Sequence, residues 1–119
     1  MAILDAYPGL VTSVTVAKHP LTEYIDAEQT TPTEVNTYIE SKSGAEFAVK
    51  TVFKKEFPTT YGVEISVKVD GNRGPRFGCA PNELHRGAKN VRGITFSNRG
   101  ERYRQNYQFV ELNVGENFL

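Results

Sequence analysis

Apolar and polar residues alternate with a period of two over most of this chain, which is the pattern of strands that bury one face. Leu10, Thr12, Val14 and Val16 fall on one side of the first such run, and Val11, Ser13 and Thr15 on the other. The run is β-branched and lacks a helical period, so it predicts a strand. Ala17–Pro20 turns the chain into a second strand over Leu21–Ile25, and Asp26–Thr33 forms a polar loop. A strand over Val35–Glu40, a turn at Ser43-Gly44 and a strand over Glu46–Phe53 come next. The clearest alternation is Val63, Ile65, Val67 and Val69 against Glu64, Ser66 and Lys68, and it ends at the hairpin signal Asp70-Gly71.

Between Arg73 and Lys89 the glycines and prolines interrupt the pattern. A short strand near Arg76–Cys79, a long loop and one helical turn over Asn82–Arg86 are expected there. Strands over Val91–Ser97 and Arg102–Leu112 are joined by Asn98-Arg99-Gly100, and the tail from Asn113 is expected to fray. Seven or eight short strands predict an all-β fold, a two-sheet antiparallel β-sandwich, with a small barrel as the alternative. The expected core is Val14, Val16, Tyr38, Phe47, Val49, Val63, Ile65, Val67, Val69, Ile94, Phe96, Tyr107 and Phe109. The 119 residues fit a single domain, with an ordered core over about residues 10–112.

Charge adds one feature. The formal net charge is zero, so no global field draws the chain to nucleic acid or an anionic membrane. Residues 1–70 nevertheless hold six lysines against ten acids, a balance of −4. Residues 71–119 hold seven arginines and one lysine against four acids, a balance of +4. The gradient suits the packing of halves or the association of copies, or else an arginine set that binds an anion. Cys79 is the only cysteine, so no internal disulfide forms, and a reducing compartment is expected. No basic leader precedes an apolar stretch and no window resembles a membrane helix, so the expectation is an intracellular protein away from membranes, in cytoplasm or nucleus.

The succession Val14-Thr-Val16, Pro20-Leu21, Glu23-Tyr24, Tyr38-Ile39-Glu40, Ser43-Gly44, Glu46-Phe47, Val69-Asp70-Gly71, Arg92-Gly93-Ile94 and Tyr107-Gln-Phe109 spans nearly the whole chain. It resembles an uncharacterised β-sandwich domain family of filamentous and mushroom-forming fungi. The shared positions are turn glycines, core aromatics and strand patterns, so the resemblance implies a fold and carries over no activity and no catalytic residue. Many members of that family continue into a charged or low-complexity tail, so the chain resembles either a short member or a trimmed domain, and in the second case part of the function would lie beyond Leu119.

Chemistry has little to build on. His19, His85 and Cys79 offer no closely spaced pair of zinc ligands, so no metal and no cofactor is expected. Cys79 with His85 is the one nearby Cys/His pair, and a lone thiol is ordinarily a small buried hydrophobe. Glu40 and Glu46 flank the Ser43-Gly44 turn as outward acids, which serve solubility more often than hydrolysis. Gly71-Asn-Arg-Gly74 lacks the length and the Lys-Ser/Thr of a phosphate loop. The expectation is a non-enzymatic module that binds a protein partner or further copies of itself. The candidate surface is Tyr24, Arg86, Lys89, Arg92, Arg99, Arg102 and Arg104. The alternative is a domain that binds nucleic acid or another polyanion through the arginine-rich last strand. Arg102, Arg104 and Asn106 share one face of that strand, while Tyr103, Gln105, Tyr107 and Phe109 share the other, predicting a polar outer face above an aromatic inner one.

Overall fold

A computed structural model describes residues 2–4, 6–26, 28 and 31–110. The expected fraying tail therefore lies outside the described residues. Among the described residues, eleven short strands make up the fold: β1 (Ala2–Ile3), β2 (Leu10–Val16), β3 (His19–Pro20), β4 (Glu23–Ile25), β5 (Thr37–Ile39), β6 (Ala48–Phe53), β7 (Val63–Val69), β8 (Asn72–Cys79), β9 (Lys89–Val91), β10 (Gly93–Asn98) and β11 (Glu101–Asn106). Their pairings are antiparallel. One sheet runs β1-β2-β6-β9, with β3 also on β2, beside the hairpins β4–β5, β7–β8 and β10–β11.

The sandwich forms where β7–β8 packs across the main sheet. The register pairs Leu10 with Phe53, and Val14 with Val49, which in turn faces Val91, so these side chains share one face. From the hairpin, Val63 pairs with Cys79 and Ile65 with Phe77. Two apolar clusters result. Phe53, Phe57, Cys79 and Leu84 fill one end, where the Phe53 and Phe57 rings meet edge-on at 4.9 Å. Val67, Val91 and Tyr107 fill the other, with Phe47 stacked on Tyr107 at 5.3 Å and on Phe109 at 4.5 Å.

The all-β sandwich agrees with the alternation, but several boundaries move. The strands on either side of Gly44 do not pair as a hairpin: β5 pairs with β4, while β6 pairs with β2 and β9. The expected strand over Val91–Ser97 is cut at Arg92, because Tyr107 inserts there and donates its N–H to the Arg92 carbonyl. The last strand ends at Asn106 and the chain continues through an isolated bridge between Gln108 and Glu46. Asn72–Cys79 is strand on both sides of Gly74-Pro75, which fall at a break in the register opposite Ser66–Lys68 of β7 while Asn72, Arg73 and Arg76–Cys79 keep their partners. The expected helical turn is a 3-10 turn over Pro81–Glu83.

Two expected core residues are instead exposed. Tyr38 lies 64% exposed on the β4–β5 hairpin, opposite Tyr24, and Phe96 lies 48% exposed on β10. Both obey the strand period, but no second layer covers their hairpin face. Conversely, Phe57 and Leu84 are buried from irregular segments, where alternation carries no signal.

Candidate anion-binding groove

On the face of the main sheet away from the sandwich core lies a groove of about 550 Å3. Strand parity explains what lines it. Residues 47, 49, 91 and 107 turn toward the core, so Glu46, Ala48, Lys50, Asn90, Arg92, Arg104 and Asn106 turn the other way. Ser13, Lys50 and Asn90 lie side by side across β2, β6 and β9. Tyr107 wedges in beyond them, donating to Arg92 and accepting from the Phe47 N–H, so the sheet forks and the end of β11 enters the gap. That fork carries Arg104 and Asn106 to the rim.

Among the described residues, four cations therefore surround the groove, Lys18, Lys50, Arg92 and Arg104, against one carboxylate, Glu46. Glu46 accepts a hydrogen bond from Asn106 Nδ2 at 3.2 Å, while the Asn106 Oδ1 atom is buried without a partner among the described residues. None of the four cations makes a side-chain hydrogen bond or ion pair among the described residues. Other basic residues are engaged. Arg76 is bonded to Glu64 on the neighbouring strand, which raises the guanidinium pKa further. Lys89 donates to the carbonyls of Glu83 at 2.8 Å and Gly87 at 3.4 Å.

The β2–β3 connection aims Lys18 at the groove. Val16 pairs with His19, leaving Ala17 and Lys18 as a two-residue turn, both left-handed with φ of 50° and 69°. Such turns favour Asn-Gly or Gly-Gly, because a side chain at positive φ is crowded by its own backbone. Neither residue is of that kind here. The neighbouring turns at Asp70-Gly71 and Arg99-Gly100 do place glycine second.

The expected interaction residues separate into groups. Arg92 and Arg104 converge on the groove. Asn90, Arg92 and Arg104 also border a second, shallower hollow of about 490 Å3 against Pro75 and Phe77. Arg99 sits at the β10–β11 tip, Arg102 lies along β11, and Arg86 is exposed beyond the 3-10 turn. Tyr24 is exposed on β4–β5, and Lys89 is the cation tied down by carbonyls. Lys18 and Lys50, which join the arginines here, are not among the expected interaction residues and come from the acidic half of the chain. Lys50's outward parity on β6 was visible in the sequence; that β6 adjoins β9 was not.

The β10–β11 hairpin corrects the expected inner aromatic face. Tyr107 and Phe109 do turn into the core side, but Tyr103 is exposed and stacks on exposed Phe96 at 5.6 Å. The hairpin thus presents aromatics on one face and Arg102 and Arg104 on the other. Tyr103 also donates its hydroxyl to Glu101 at 2.5 Å, which raises its pKa. His85 is exposed, with its Nδ1 3.0 Å from the Phe53 carbonyl oxygen. Cys79 is buried in the core. Among the described residues, no group of three or more His, Cys, Asp or Glu is placed to hold a metal ion, and no helix is long and apolar enough to cross a membrane.

A family model described as a domain of unknown function (DUF7918) matches residues 9–118. No curated protein and no solved structure matches the chain.

Proposed function

The chain belongs to the DUF7918 family of domains of unknown function, and we propose that it is a non-enzymatic interaction module that associates with further copies of itself or with a protein partner. The observation that carries this reading is the β10–β11 hairpin. Five of the six β11 residues are exposed, and the Phe96–Tyr103 stack lies open on one face. Paired aromatics left in water are the usual anchors of a protein interface. The β4–β5 hairpin, with Tyr24, Ile25 and Tyr38 exposed, offers a second such surface. A fungal origin and an intracellular setting, suggested by the motif succession and the single thiol, belong to the same proposal.

Light scattering on a sizing column, at two protein and two salt concentrations, tests it. The expected result is a mass above the monomer that falls to the monomer in the double variant Phe96→Ser/Tyr103→Ser. A wild-type monomer in every condition overturns self-association, and failure of partner capture by the same face would then remove the reading altogether. The second reading, nucleic acid or another polyanion along β11, draws support from the convergence of Arg92 and Arg104. Against it, Arg99 and Arg102 lie outside the groove, and the aromatics occupy the face opposite Arg102 and Arg104. Retention on heparin that declines steeply with salt is its signature.

A further inference from the structure

We infer that the groove between β2, β6, β9 and the end of β11 is a binding site for a compact multivalent phosphate. This goes beyond the interaction reading and does not depend on it. Lys18, Lys50, Arg92 and Arg104 surround a hollow of about 550 Å3 whose lining, among the described residues, includes one acidic side chain, Glu46. Ligand sites of a few hundred Å3 accommodate small molecules rather than extended polymers.

Unengaged surface cations are ordinary one at a time. Here four come together from three parts of the sequence, and none is used within the fold. Cations gathered in a cleft repel one another and focus a positive field that an anion relieves. Lys50 is half-buried in the groove and, among the described residues, forms no ion pair with a carboxylate. Lys18 is held in a left-handed turn that a Gly would occupy with less strain. Strain kept at a charged position is a mark of functional placement.

The charge selects the ligand class. Four cations and one carboxylate leave a local excess of three positive charges. Phosphates concentrate negative charge within a few ångströms, and the planar forks of Arg92 and Arg104 match their oxygens, while the lysines act as point charges. A single carboxylate would leave most of the excess uncompensated.

Titration calorimetry with sodium tripolyphosphate, on the whole chain in low salt, tests the site. One-site binding is expected. Arg104→Gln and Lys50→Gln should each weaken it about ten-fold, the effect of losing one charged hydrogen bond. Glu46→Gln should tighten it, because it removes the competing charge and keeps an acceptor for Asn106. Arg99→Gln, at the hairpin tip, should leave it unchanged. Arg104 is exposed, so its variant stays informative even if Lys50→Gln unfolds. Absence of heat at millimolar tripolyphosphate overturns the inference. So does an Arg99→Gln loss equal to that of Arg104→Gln, which would mean diffuse attraction. Binding of citrate as tight as tripolyphosphate would refute the phosphate assignment, and binding of heparin alone would replace the site with an extended one.

Discussion

Tyr107 joins the core to the groove. Its ring is 6% exposed between Phe47 and Val91, and its backbone splits the sheet at Arg92. Its hydroxyl, by contrast, is buried without a hydrogen-bond partner among the described residues. Gly74 packs against it: a Cβ there would lie 2.5 Å from that oxygen and 2.7 Å from the Val67 carbonyl oxygen, so only glycine fits beside the hydroxyl. An unsatisfied buried hydroxyl costs about 1–3 kcal/mol. Tyr107→Phe should therefore stabilise the domain by about 1 kcal/mol in urea denaturation. The same burial sets a pH dependence, because it raises the phenol's pKa above its ordinary value of 10.0. Below pH 10 both folded and unfolded forms keep the proton. As pH rises past that point the unfolded chain ionises first, so stability falls until the folded phenol also ionises. Melting curves from pH 8 to pH 11 should show a steeper alkaline loss for the wild type than for Tyr107→Phe. Equal slopes would mean that the hydroxyl reaches water.

At the scale of elements, sequence legibility depended on whether a signal was local. The strands β2 and β7 and the turns at Asp70-Gly71 and Arg99-Gly100 were readable because alternation and turn chemistry involve only neighbouring residues. Which strand lies beside which was not readable. Lys50, Arg92 and Arg104 are far apart in the chain, and only the β6–β9 pairing and the Tyr107 insertion bring them together. Leu84 and Phe57 were missed for a related reason, since they plug the core from loops that have no period. The Ala17-Lys18 turn was legible as a turn, but its left-handed geometry was not. That geometry makes a prediction that separates stability from function. Replacing the pair by Asn-Gly, in the variant Ala17→Asn/Lys18→Gly, supplies the residues such a turn prefers. The variant should gain about 1–2 kcal/mol of stability by thermal or urea denaturation. It should also bind tripolyphosphate more weakly, because Lys18 leaves the rim. Tighter folding with unchanged binding would exclude Lys18 from the site.

At the scale of the molecule, the groove draws on both sides of the charge gradient along the sequence. Lys18 and Lys50 come from the half with balance −4, yet they line the same groove as Arg92 and Arg104 from the half with balance +4. Folding therefore concentrates cations locally in a chain whose net charge is zero, so any phosphate recognition is a property of the fold rather than of composition. The proposed surfaces also separate on β11, where successive side chains point to opposite faces. Tyr103 stacks on Phe96 on one face, whereas Arg104 and Asn106 turn to the groove on the other. Assembly and anion binding should then be independent. Phe96→Ser/Tyr103→Ser should become monomeric and still bind tripolyphosphate with wild-type affinity. Arg104→Gln should lose affinity and keep the wild-type mass on a sizing column. In the wild type, tripolyphosphate at about one hundred times its dissociation constant should add about 2.7 kcal/mol of stability, and the same increment should appear in the monomeric double variant. A ligand-induced change of mass, or an increment lost together with the aromatics, would instead mean that the groove is completed by a second copy.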